Sequence, residues 1–201
     1  MLVKVCGMRE QQNASEVASL GIDMMGFIFF DKSPRYVAEL APSTPKGVKR
    51  VGVFVNYPIG YILDAISTHS LDFVQLHGSE SVEICRELKA NNIGVIKAIS
   101  IATKDDIKVT KQYDGVVDCF VFDTKCVGYG GSGERFDWSI LDAYSGSTPF
   151  LLSGGLDSDS AEQIKEINHK AFAGVDLNSR FEISPALKNI DKLREFIVKI
   201  R

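Results

Sequence analysis

Short apolar runs alternate with longer amphipathic stretches along the whole chain. The apolar runs fall at 2–6, 24–29, 48–55, 72–76, 94–99, 119–123, 149–153 and 172–177. They are rich in β-branched and aromatic residues and mostly apolar at consecutive positions, as strands buried on both faces require. Between them lie helical patterns. Residues 79–91 bring Val82, Ile84, Cys85 and Leu88 to one side, and ALKNIDKLREFIVKI repeats apolar residues at 187, 190, 193, 196, 197 and 200. Asp157 or Ser158 is placed to cap a helix running through Ile167. The stretch after Phe30 is different: SPRYV and the prolines at 34, 42 and 45 predict a short or irregular helix.

Strands in alternation with about eight helices, without a composition break or linker, predict an α/β fold: a single (β/α)8 TIM barrel with a parallel eight-stranded sheet, one catalytic domain over residues 1–201. A doubly wound open sheet is the architectural alternative. It usually has fewer strands and often a glycine-rich turn after the first, whereas CGMREQQ supplies one glycine. No internal repeat stands out at the half-length. In a barrel the C-terminal strand ends face the catalytic mouth. Cys6, Phe29, Asn56, His77, Asp123, Gly154, Gly155 and Asn178 become candidates on that ground.

Composition narrows the class further. The 201 residues are 45% hydrophobic and 24% charged, and a net charge of −3 spread along the chain gives no reason to expect nucleic-acid or anionic-membrane partners. No apolar run approaches the length of a membrane span, and the first is too short and strand-like for a signal peptide. Cys6, Cys85, Cys119 and Cys126 have neither zinc-site spacing nor disulfide-scaffold density, which fits a reduced, cytoplasmic compartment.

Several of the candidates carry chemistry. Cys6, closing the run KVC before Gly7, is either a small buried hydrophobe or a thiol aimed into a site. Lys4 shares its parity, so both point into the barrel; a lysine there needs a carboxylate partner, and its field at roughly 6–7 Å along the strand favours the thiolate. On the sixth strand Asp123 shares a face with Cys119 and Val121, while Phe120 and Phe122 suit the layer under the helices. An inward acid is either a salt-bridge partner or a proton donor. In LLSGGLDSDSAEQIKEI, Gly154 and Gly155 open the seventh loop, where barrels commonly hold a phosphate, and the eighth loop adds Ser179 and Arg180; a plain tight turn is the alternative. Arg35, after Pro34, is either a surface arginine or a bidentate grip for a carboxylate. His77 in QLHG orders its loop or touches a ligand. The glycines at 128, 130, 131 and 133 describe a loop able to close over the mouth, or a flexible connector, before Asp137 caps the next helix.

Taken together, KVCGM, GFIFFDKSPRYV, VGVFVN, QLHG, FDT with GGSGERFDW, SGGL and GVDLNSRFE resemble, in order and over nearly the whole chain, the phosphoribosylanthranilate isomerases of tryptophan biosynthesis. The resemblance implies a (β/α)8 barrel, with no cofactor and no metal. The reaction it implies is an Amadori rearrangement of a phosphosugar, N-(5-phosphoribosyl)anthranilate, to 1-(2-carboxyphenylamino)-1-deoxyribulose 5-phosphate. By matching motif, Cys6 corresponds to the general base, Asp123 to the general acid and Arg35 to the residue holding the anthranilate carboxylate. Gly154, Gly155, Ser179 and Arg180 look like the phosphate site, and His77, Gly131 and Asn178 join the substrate-binding set. Proteins of this kind occur as monomers and homodimers. Two stretches depart from the family pattern. Asn178–Ser179–Arg180–Phe181–Glu182 stands where serine-serine-glycine-valine-glutamate is usual, with Arg180 in place of a glycine beside the phosphate. Pro185–Ala186–Leu187–Lys188–Asn189 stands where proline-glycine-x-lysine-aspartate is usual, a change expected to touch the start of the last helix more than the chemistry.

The chemistry accounts for the same residues independently. Opening an aminofuranose needs an acid at the ring oxygen, and the iminium that results acidifies the C2 proton for a base on another wall. The related isomerase of histidine biosynthesis typically ends its first strand in aspartate and has similar halves, unlike this chain. Indole-glycerol-phosphate synthase shares the phosphate logic but typically adds an N-terminal segment and lysine and glutamate motifs not recognised here. A phosphate-ligand-binding barrel without turnover is the non-enzyme alternative, against which the presence of both Cys6 and Asp123 argues.

Overall fold

A computed structural model describes residues 1–125 and 135–201; residues 126–134, which include Cys126 and Gly131 of the expected mouth loop, lie outside the described residues. Strands β1 (Leu2–Val5), β2 (Met24–Ile28), β3 (Lys49–Phe54), β4 (Phe73–Leu76), β5 (Gly94–Ile101), β6 (Cys119–Thr124), β7 (Phe150–Leu152) and β8 (Phe172–Leu177) pair in sequential order into a closed parallel barrel. The ring closes between β1 and β8, with Leu2 opposite Gly174, Lys4 opposite Asp176 and Val5 opposite Leu177. Each predicted strand is present within one or two residues of its expected ends.

The connections follow the sequence pattern less closely. Helices α1 (Gln11–Ala18), α2 (Ile59–His69), α3 (Val82–Ala90), α4 (Lys104–Ile107), α5 (Ala161–Lys165) and α6 (Ile190–Ile200) follow strands one, three, four, five, seven and eight. The connection after β2 holds no helix, only a bridge between Ile28 and Tyr36, because three prolines withhold the N–H groups a helix ladder needs. After β6 the described residues form a 3-10 helix, Trp138–Ala143, capped as expected by Asp137, which accepts from Ser139 N–H. The helix expected to run from 157 or 158 to Ile167 is a 3-10 turn, Ser158–Ser160, capped by Asp157, and then the short α5.

The last helix also starts later than its apolar period suggests. Leu187–Lys188 form strand β10, which pairs antiparallel with β9 (Glu182–Ser184). Ala186 in the turn has φ +69°, a conformation no α-helix continues through, and Asn189 caps α6 by accepting from Lys192 N–H.

Two apolar layers follow from strand alternation. Phe120, Phe122 and Phe150 pack outward with Tyr144, their rings 4.6 to 5.9 Å apart. Val51, Ile96, Ala98, Cys119, Val121 and Leu151 fill the barrel interior. Asp123 therefore continues the interior face of β6, as its parity predicted. Among the described residues no helix is long and apolar enough to cross a membrane.

Candidate active site

An open-mouthed cavity lies at the C-terminal ends of the strands. Cys6, Arg35, His77, Asp123, Gly154, Gly155, Asn178, Ser179 and Arg180 all line it. Gly131 lies outside the described residues. Two strand-end candidates are elsewhere: Phe29 stacks on Phe54 in the outer core, and Asn56 ties two loops together by accepting from Ser79 N–H and Oγ–H.

Cys6 sits one residue past β1, its backbone N–H bonded to Leu177 carbonyl at 2.8 Å, and is 4% exposed. Two residues below it, Lys4 Nζ donates to Asp176 Oδ2 at 2.7 Å, both side chains buried. This is the carboxylate partner that a buried lysine demanded, supplied by the register neighbour on β8. Burial works to lower the Lys4 pKa, but the charges of Asp176 and Cys6 outweigh it and the net shift is upward. For Cys6 the balance falls against the expected thiolate. Burial raises the thiol pKa and Asp176 adds to the rise, while Lys4 and Lys188 pull it down without cancelling it. Burial also raises Asp176, helped by the charge of Asp123 and opposed by Lys4. Its second oxygen, Oδ1, is buried without a hydrogen-bond partner among the described residues and belongs to a residue that lines the cavity.

Asp123 is held from two sides. Its Oδ1 accepts from Thr124 N–H at 2.9 Å, and its Oδ2 lies 3.3 Å from His77 Nε2. The other ring nitrogen of His77, Nδ1, is 2.9 Å from Gln75 Nε2. His77 thus turns its ring toward the acid as well as toward the cavity. The loop that carries it is ordered by Glu80, which accepts from Asn56 and Gly78 N–H and pairs with the buried Lys97 at 3.2 Å. Gly154 crosses close to the same acid. A Cβ there would meet Thr124 Oγ1 and approach Asp123 Oδ1 at 2.9 Å, and its φ is +83°, so only glycine brings the seventh loop this near.

Arg35 is neither free nor on the surface. Its Nε donates to both oxygens of Glu182 at 2.9 and 3.0 Å, and its Nη2 to Oε2 at 2.6 Å. Lys188 Nζ donates to Glu182 Oε1 at 2.6 Å and to Asn178 Oδ1 at 2.7 Å. Burial pushes the Glu182 carboxyl up, but the two cations prevail and hold it below the ordinary glutamate range. The Pro185–Asn189 stretch touches the site through Lys188, the position where it keeps the family's lysine, because the β9–β10 hairpin folds that side chain inward; its departure at Asn189 falls on the cap of α6, as expected.

Sequence reasoning missed four residues of this arrangement. Asp176 had a signal, since a buried Lys4 requires an anion and Asp176 shares its inward face. Gln75 had a weaker one, two residues before His77 on the same face. Glu182 and Lys188 had none beyond their motif, because strands of two or three residues show no periodicity. Cys85 and Cys119, by contrast, are packing thiols, raised by burial to about 11 and about 12.

The family model for N-(5'-phosphoribosyl)anthranilate (PRA) isomerase matches residues 3–199. The N-(5'-phosphoribosyl)anthranilate isomerase of Parabacteroides distasonis is 53% identical over 207 residues, covering 100% of this chain and 93% of that one. The crystal structure of phosphoribosyl anthranilate isomerase from Thermotoga maritima superposes with a TM-score of 0.85 at 35% identity, covering 100% of this chain and 98% of that one. A phosphoribosyl anthranilate isomerase crystallised in complex with reduced 1-(o-carboxyphenylamino)-1-deoxyribulose 5-phosphate gives a TM-score of 0.82 at 32% identity, with the same coverage. A closed eight-stranded barrel, a cavity at its C-terminal mouth and a match through nearly every residue agree: the chain belongs to the N-(5'-phosphoribosyl)anthranilate isomerase family and is an isomerase of tryptophan biosynthesis.

Proposed function

We propose that the 201 residues act as one catalytic domain and rearrange N-(5-phosphoribosyl)anthranilate to 1-(2-carboxyphenylamino)-1-deoxyribulose 5-phosphate, with Asp123 as general acid and Cys6 as general base. The observation that carries this reading is that a buried thiol, a carboxyl group and an arginine from three separate strand ends line one cavity. Sugar, amine and aromatic acid each then have a complementary wall.

Asp123 gives its proton to the ribose ring oxygen as the C1–O bond breaks, and the nitrogen lone pair forms the C1=N iminium. His77 Nε2, 3.3 Å from Oδ2, stands beside the acid and holds it in place. The iminium draws electrons from C2, and Cys6, its own proton having first passed to solvent at the cavity mouth, acts as the thiolate that removes the C2 proton to give the enolamine. Ketonisation then moves the O2 proton to C1, so the rearrangement begins and ends with the same atoms. A raised thiol pKa makes the thiolate, once formed, the stronger base for this step.

The phosphate end of the substrate lies at Gly154–Gly155 and at the 3-10 turn Ser179–Phe181, the loops after strands seven and eight, with Arg180 supplying positive charge where the family usually has glycine. Arg35 meets the anthranilate carboxylate. Following the anthranilate fluorescence of N-(5-phosphoribosyl)anthranilate mixed with purified protein tests the proposal. Its decay, with no turnover of the histidine-pathway substrate, is expected; binding without decay would overturn the assignment.

A further inference from the structure

The proposed function gives Arg35 a carboxylate to hold, yet the arginine is already engaged by a carboxylate of the protein. The edge formed by Nε and Nη2 is taken by Glu182. A guanidinium has five N–H donors in a rigid plane, so that edge uses only two. The donors left are both protons of Nη1 and the outer proton of Nη2, which form a second fork suited to a second carboxylate. Glu182 does not swing freely. It is 5% exposed as a side chain, and its Oε1 also accepts from Lys188 Nζ at 2.6 Å and from Ala186 N–H at 3.2 Å. The stem of the arginine is confined too: a Cβ on Gly7 would come within 2.7 Å of Arg35 Cδ, so the arm lies directly over the backbone beside Cys6.

We infer that Glu182 is a positioning residue that sets carboxylate specificity: it clamps Arg35 by one edge and aims the opposite fork into the cavity. The inference rests on the proposed role of Arg35 and deepens it. Charge alone makes the opposite forecast. Arg35, Glu182 and Lys188 together carry one net positive charge, and removing the negative charge of Glu182 would leave two, drawing an anionic substrate in more strongly. Aim and attraction therefore predict opposite signs for the same substitution.

The test measures kcat and KM of the full-length chain for N-(5-phosphoribosyl)anthranilate and for N-(5-phosphoribosyl)aniline, which lacks the carboxylate, with product followed by chromatography. Glu182→Gln is expected to raise KM for the anthranilate substrate about tenfold more than for the aniline substrate, and KM more than kcat, the size of one lost charge-assisted hydrogen bond. Glu182→Asp keeps the charge but withdraws it by one methylene, and is expected to show the same selective loss. A lower or unchanged KM for the anthranilate substrate overturns the inference, and so does an equal loss on both substrates. Failure of both variants to fold makes Glu182 a structural residue and overturns it as well. Arg35→Ala separates the two levels: if it treats both substrates alike while the wild type turns over, the assignment of Arg35 falls and the isomerase reading stands. A wild type without turnover sinks the isomerase reading itself.

Discussion

Lys4 and Asp176 face each other across the seam that closes the barrel, register partners on β1 and β8 whose charges meet at 2.7 Å beneath Cys6. The pair sits on the inward faces of the first and last strands of the ring, so it forms only when the ring is complete. It also sets the electrostatics of the thiol above it, Lys4 favouring the anion and Asp176 opposing it.

Removing one partner strands the other in a dry interior. Lys4→Met is expected to destabilise the fold by about 3–5 kcal/mol, because Asp176 keeps its burial and loses its counter-charge. Urea unfolding measures this, and the double variant Lys4→Met/Asp176→Asn is expected to recover part of the loss. Additive losses would mean the two groups are not coupled.

Cys6→Ala and Asp123→Asn are each expected to lower turnover by at least about a hundredfold while circular dichroism stays that of the wild type. Both substitutions keep the local shape and remove a group to which the proposed function gives a proton transfer. Full-rate Cys6→Ala enzyme would take the thiol out of the mechanism.

The protonation of Cys6 has its own readout. Burial outweighs Lys4 and raises the Cys6 pKa above the ordinary thiol value of 9.0, so below that pH the free enzyme carries a thiol. The thiolate absorbance at 240 nm, taken as wild type minus Cys6→Ser, is expected to appear only at pH above 9. A thiolate signal at pH 7 would show that Lys4 prevails.

Asp106 gives the fold an acid dependence of known sign. Partial burial pushes its carboxyl up, but N–H groups of Ala102 and Thr103 and the ammonium of Lys125 hold it down at about 2. A folded pKa below the unfolded value stabilises above the ordinary aspartate range, and that stability is lost as pH falls through about 4 toward 2. Allowing for solvent screening, Asp106→Asn is expected to cost about 1 kcal/mol at pH 7 and almost nothing at pH 2. Unfolding curves at the two pH values check it, and an equal cost at both would remove the charge from the account.

Placing Gly154 beside the acid adds a steric expectation. Gly154→Ala puts a methyl group against Thr124 and Asp123 and forces alanine to a φ of +83°. The expected result is a KM raised about tenfold or more, with a thermal midpoint lower by about 2–4 °C for each kcal/mol of strain. Wild-type kinetics in this variant would mean that the seventh loop need not approach so closely.

The eight strands, the inward parity of Lys4, Cys6 and Asp123, and the outward parity of Phe120 and Phe122 were all legible in the sequence, because period and burial leave a local trace every two residues. The motifs around Cys6, Arg35, Asp123, Gly154 and Asn178 also carried the family without coordinates. Helices were less legible where proline or a positive φ interrupted the ladder, as after Phe30 and at Ala186. What only the tertiary structure decided is who pairs with whom. Lys4 finds Asp176 across 172 positions of chain, and Arg35 finds Glu182 across 147. Such partners are chosen by closure of the ring and by a hairpin too short to show a pattern. The same closure buries Cys6 and raises the pKa of a cysteine beside a lysine, since desolvation depends on everything packed around a group and not on its neighbours in sequence.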